Sequence, residues 1–207
     1  MVQVLRKCIM AVIIASAFFS ATVFADNFTT RDKVCSEPKK QSEPKVKSGE
    51  IYYTRANMWF EHPTNFLSTN FHKGMIIPAG TEVKVLGVSG VKIRFVNEKD
   101  GVTYEYIHAL KHSRITLTQL FDQYFSKESV MTAGGEFSKF TKEEQENIKN
   151  GVIATGMSKE AVLMAYGYPP SHKTPNLTSD VWLYWESRAE KVTANFKDNI
   201  LVSIDKE

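Results

Sequence analysis

The sequence predicts an α+β protein, with an N-terminal small antiparallel β-barrel followed by a two-helix, three-strand meander of order α-α-β-β-β. Three observations predict it. Between Glu50 and Ser113, short β-branched and aromatic runs recur every 8–12 residues or so, separated by Pro78-Ala79-Gly80, Ser89-Gly90 and Lys99-Asp100-Gly101. Two helix starts, at Thr141 and Ser158, then precede runs of helix formers. From Val181 to Ile204 the apolar residues alternate in three successive runs.

Ahead of these elements, residues 1–25 carry Arg6 and Lys7, an apolar run from Cys8 to Phe24, and small residues up to Ala25. Val23 and Ala25 fit the minus-three and minus-one positions of a signal peptide cleaved before Asp26, which implies export to the periplasm. The alternative is a retained anchor, because about 17 apolar residues almost span a bilayer. Cys8 stands at the front of the run, where no lipid-attachment motif precedes it. After cleavage Cys35 is the one cysteine left, either a free thiol or an intermolecular bridge. No stable membrane span is then expected.

The formal charge is +3, and removing Arg6 and Lys7 leaves 24 basic against 23 acidic residues, a balance of +1. Nucleic-acid binding calls for a clustered basic face, which this balance argues against. Residues 26–49 have mixed charge, two Glu-Pro steps and almost no apolar periodicity, so they read as a disordered linker.

In the barrel region, placed at residues 50–130, Val83 and Val85 alternate with Glu82, Lys84 and Leu86, and Val91, Ile93 and Phe95 alternate with Lys92 and Arg94. Asp100-Gly101 marks a hairpin. The connection from Asn57 to Lys73 is long for a small barrel and rich in aromatics, which favours a functional loop. Leu117, Leu120, Phe121 and Tyr124 are spaced as one face of a helix capped by Thr116 or Thr118. Gly134-Gly135 breaks the chain, and a second region at residues 131–207 follows.

That region opens on the capping box Thr141-Lys142-Glu143-Glu144 and its first helix ends at Gly151. Ser158 starts the second helix, which Gly167 and Pro169-Pro170 stop. On the first strand Val181, Leu183 and Trp185 share one face and Trp182, Tyr184 and Glu186 the other, with Trp185 expected in the core. Val192, Ala194 and Phe196 follow as an inward set, then Ile200, Val202 and Ile204 after an Asp198-Asn199 turn.

Two resemblances rest on these residues. Ile77-Pro78-Ala79-Gly80-Thr81-Glu82-Val83-Lys84-Val85, with the strand rhythm around it, resembles the bacterial Src-homology-3-like barrels of cell-envelope proteins, which bind peptides or cell-wall fragments. Gly156, Met157, Ser158, Glu160, Val162, Gly167, Pro169, Trp182 and Tyr184 follow the pattern of the SmpA/OmlA family, whose best-known member assists outer-membrane β-barrel assembly. This second resemblance implies an envelope protein working through protein contacts. The chain departs from it in lacking a lipid-attachment cysteine and in carrying a barrel-like region first. Because β-lactamase-inhibitor-like proteins share the layout, a protein inhibitor stays open.

No nucleophile elbow, phosphate loop or third ligand beside His108 and His112 is present, so neither an enzyme nor a cofactor is expected. The expected role is a non-enzymatic accessory or scaffold contacting envelope proteins; the alternative is a small-ligand or peptidoglycan-binding protein using the barrel loop. Candidate partner-binding residues are Trp59, Phe60 and Phe66 in the loop and Trp182 and Tyr184 on the first strand of the meander. Each is either a partner surface or core.

Overall fold

The computed structural model describes residues 44–207. The expected signal peptide, Cys35 and residues 26–43 of the expected linker lie outside the described residues. Pro44–Gly49 belong to the folded part: Val46 packs on the core and the Gly49 amide donates to the Val85 carbonyl at 2.7 Å.

The architecture is mixed α+β, with three α-helices among the described residues and a curled half-barrel sheet. Strands β1 (Glu50–Thr54), β2 (Met58–Phe60), β3 (Phe66–Leu67), β4 (Met75–Ile77), β5 (Glu82–Ser89), β6 (Lys92–Asn97) and β7 (Thr103–Ile107) precede helix α1 (Leu117–Tyr124) and strand β8 (Phe125–Ser126). Helices α2 (Lys142–Asn150) and α3 (Lys159–Tyr166) and strands β9 (Val181–Trp185), β10 (Lys191–Lys197) and β11 (Ile200–Lys206) complete the chain. The six-stranded sheet has the order β3-β7-β6-β5-β1-β8. Its pairs are antiparallel apart from β3 and β7, which run parallel, and β3 does not pair with β8 to close it.

The expected loop from Asn57 to Lys73 contains two short strands, β2 and β3, joined by turns. β2 forms a two-stranded ribbon with β4, and β3 extends the main sheet, because Met58, Phe60 and Phe66 are apolar enough to enter the core. In β5 the alternation holds for Val83 and Val85, then an irregularity between Val85 and Gly87 turns Val88 toward the core instead. Thr116 caps α1 with a full capping box, and the helix lays Leu117, Leu120, Phe121 and Tyr124 over the sheet.

The second core lies between α2, α3 and the three-stranded sheet β11-β10-β9. Thr141 forms the capping box expected for α2, and Gly151 closes that helix in the left-handed conformation at φ 66°. Ser158 caps α3. One carboxylate ties both helix starts together: Glu144 Oε2 accepts from the Thr141 amide and hydroxyl, and Oε1 accepts from the Ser158 amide (2.9 Å) and hydroxyl (2.7 Å).

Two expected faces are corrected. On β9 the inward residues are Trp182 and Tyr184, both at 0% exposure, while Trp185 is only partly buried. Alternation separates two faces but does not say which meets the helices. Here Trp182 packs on Phe196 with the rings tilted and 4.6 Å apart, and Tyr184 meets Tyr166 of α3 at 5.2 Å. On β11 a bulge at Val202, opposite Asn195 and Phe196 of β10, shifts the register, so Leu201 is the buried residue and Ile200 and Val202 are exposed.

Candidate functional site

A helix leaves its last four carbonyls without intrahelical partners, and burying them unpaired is costly. In α3 these groups meet donors from residues far away in the chain. The Asn57 amide donates to the Met164 carbonyl (2.9 Å), and Asn57 Nδ2 donates to those of Ala165 (2.9 Å) and Ile148 (2.7 Å) at the ends of both helices. Asn57 Oδ1 accepts from the Ala79 amide at 2.8 Å, so every polar atom of its buried amide group is satisfied. Asn70 Nδ2 (2.8 Å) and His72 Nε2 (2.6 Å) both reach the Tyr166 carbonyl, and Tyr184 Oη donates to that of Gly167 at 3.1 Å. The Asn57–Lys73 segment thereby fastens the half-barrel to the helices.

The same segment forms one wall of a groove of about 390 Å³. Trp59, Phe60, Glu61, His62, Asn65, Phe66, Leu67, Phe71 and Lys73 line that wall, and the β9–β10 turn, Ser187–Ala189, faces it. Phe60 and Phe66 border the groove but are 5% and 2% exposed, held by Tyr104 and Tyr106, so the core accounts for nearly all of their surface. Trp59 is partly buried, with its ring edge on His72 at 5.6 Å and its far end against Gly151. Its Nε1 is buried without a hydrogen-bond partner.

Trp182 and Tyr184 do not join the groove. As fully buried core residues they offer no surface to a partner, which corrects that expectation for these two. Phe71, Lys73 and Arg188 complete the site. Phe71 falls in the aromatic connection singled out from the sequence; Arg188 carried no signal beyond that of a turn, because what faces it comes from more than a hundred residues earlier.

Electrostatically the groove is mixed. Lys73 and Glu61 form an ion pair at 3.3 Å, and Arg188 is exposed opposite them. Burial lowers the His72 imidazole to about pH 4 against the pull of two carbonyls, so the ring is neutral at neutral pH. A wider cleft of about 670 Å³ lies between α2 and α3, with Phe140, Leu163, Met164, Tyr168 and Ile200 along it and the Arg55–Glu136 pair at its rim. Among the described residues no three Asp, Glu, His or Cys side chains gather to hold a metal ion, and His108 Nε2 is engaged by Ser113 Oγ at 2.8 Å.

Compared with known proteins, the chain matches no family model, no curated protein and no solved structure.

Proposed function

We propose that this chain is an exported, non-enzymatic accessory protein of the cell envelope that holds a segment of a partner protein in the groove between Glu61–Phe71 and Ser187–Ala189. The architecture we infer is a small antiparallel Src-homology-3-like barrel followed by an SmpA/OmlA-like α-α-β-β-β module. One observation carries the reading: the groove is built jointly, its aromatic wall from the first half of the chain and its cationic turn from the second. A partner seated there touches both halves. Its apolar side chains meet Phe71 and the accessible part of Trp59, and an acidic residue meets Arg188.

The test is affinity capture from crosslinked envelope extract with wild type and a Lys73→Glu, Arg188→Glu double variant. Both side chains are at the surface, so the variant is expected to keep its melting temperature. The expected result is a partner retained by wild type and lost by the variant. Equal capture by both, or none by either, overturns the reading.

Peptidoglycan is the second reading, favoured by aromatic rings beside cationic side chains, which suit sugar faces and stem-peptide carboxylates. Sedimentation with purified sacculi separates the two: wild type in the pellet supports peptidoglycan, and wild type in the supernatant alongside a captured protein supports the first.

A further inference from the structure

Three of the chain's five histidines meet at one tryptophan. Each arrives from a different segment: His72 from the connection after β3, His112 from the short 3-10 turn Leu110–His112, and His172 from the loop after α3. The His112 and His172 rings both lie edge-on to Trp185, at 5.2 Å each, and 4.9 Å from one another. Phe71 stacks on Trp185 at 5.7 Å. Under the ring, the backbone of Trp185 is held from the other side: its carbonyl accepts from the His72 amide (3.1 Å) and faces His72 Nδ1 (3.3 Å). His172 Nδ1 donates to the His112 carbonyl at 2.9 Å, and the Arg114 amide donates to Ser171 Oγ at 2.7 Å, so the loop is pinned to the 3-10 turn.

We propose that Trp185 with His72, His112 and His172 forms an acid-sensitive latch, closed at neutral pH, which releases the Ser171–Thr174 loop from the 3-10 turn as the pH falls. Burial opposes a charge on the His172 imidazole, and the bond to the His112 carbonyl only partly offsets it. His112, Lys173 and Arg114 beside the same ring further disfavour a positive charge there, so the imidazole titrates below its usual value. His72 is enclosed by the rings of Trp59, Tyr166 and Tyr184. The one carboxylate acting on it, Glu186, is already shared with Lys206 at 2.6 Å and Tyr166 Oη at 3.5 Å. Its neutral ring donates from Nε2 to the Tyr166 carbonyl, which places the unprotonated Nδ1 toward Trp185.

The sign follows by linkage. Histidines whose folded values lie below the ordinary 6.5 favour the closed arrangement above that value and oppose it as the pH falls through the folded ones. His72, lowered to about 4, stays neutral down to that range, so the seam under Trp185 keeps its arrangement while the loop opens. Because Phe71 both stacks on Trp185 and lines the groove, opening also loosens one groove wall.

Hydrogen–deuterium exchange on the full chain at pH 7.5 and 5.5, corrected for the intrinsic pH dependence, tests the latch. The expected result is a severalfold rise in corrected exchange over residues 110–114 and 171–174, with α1 and β5 unchanged. In a His112→Gln, His172→Gln variant, which keeps hydrogen-bonding capacity but cannot charge, the rise is expected to vanish. An NMR titration of wild type checks the same point without a variant: the His172 midpoint is expected below 6.5 and to coincide with a shift of the Trp185 indole signal. Uniform exchange at both pH values, an equal rise in the double variant, or a His172 midpoint at 6.5 with a stationary Trp185 signal each overturns the proposal.

Discussion

Asn57 Nδ2 stands 2.9 Å from the carbonyl of Ala165, a residue 108 positions further along the chain, and 2.7 Å from that of Ile148. One side chain thus terminates two helices. The half-barrel and the helical layer share this amide, and the groove wall that begins at Trp59 follows directly from it.

Asn57→Asp removes both Nδ2 donations and turns a carboxylate oxygen toward two carbonyls. Leaving buried polar groups unsatisfied costs about 1–3 kcal/mol each, so a loss of about 3 kcal/mol in chemical denaturation is expected, more than for Asn57→Ala. A loss below about 0.5 kcal/mol, the range of an ordinary surface change, contradicts this account of the seam.

Glu144 gives an acid limb to the stability profile. Burial opposes its charge, but hydrogen bonds from Ser158 and then Thr141 outweigh it and hold the carboxyl below its ordinary 4.5. A carboxylate lowered in the folded state contributes stability above its unfolded value, and that contribution is lost as the pH falls through the folded one. Glu144→Gln is therefore expected to cost about 1–3 kcal/mol at pH 7 and to flatten the pH dependence below 4.5. A profile parallel to that of wild type contradicts it.

Gly167 ends α3 at φ 75°, where an added Cβ meets Asn70 Nδ2 at 2.6 Å, the Asn57 carbonyl oxygen at 3.1 Å and Tyr124 Oη at 3.1 Å. Gly101, at φ 69° in the β6–β7 hairpin, has open space around it. Gly101→Ala is expected to cost about 1 kcal/mol from backbone conformation alone. Gly167→Ala carries the clash in addition and is expected to cost at least about 3 kcal/mol in thermal or chemical unfolding. Equal costs contradict the close approach at the end of α3.

Local signals in the sequence served well. Thr116, Thr141 and Ser158 cap helices because a side-chain oxygen three residues ahead of a free amide needs no distant partner. Asp198-Asn199 turns with φ 51° and 65°, as short polar residues permit. What escaped depends on contacts between remote segments. The bulge that exposes Val202 and buries Leu201 is invisible to strict alternation, and so is the parallel pairing of Phe66–Leu67 with Tyr106–Ile107. Trp182 and Trp185 look equivalent in sequence, and only the position of α3 decides which of them is buried. Of the candidate site, the aromatic wall was legible as an unusual connection, whereas Arg188 and the capping role of Asn57 required the fold.

Site-specific photo-crosslinking tests the partner groove most directly. A benzophenone side chain is placed at Arg188, opposite the aromatic wall, and at Val152, which is 45% exposed and lies outside the groove. After irradiation of intact cells, a discrete adduct at position 188 and none at 152 is the predicted result. Adducts of equal yield at both positions, or none at 188 in a protein that remains folded, would contradict the groove as the binding site.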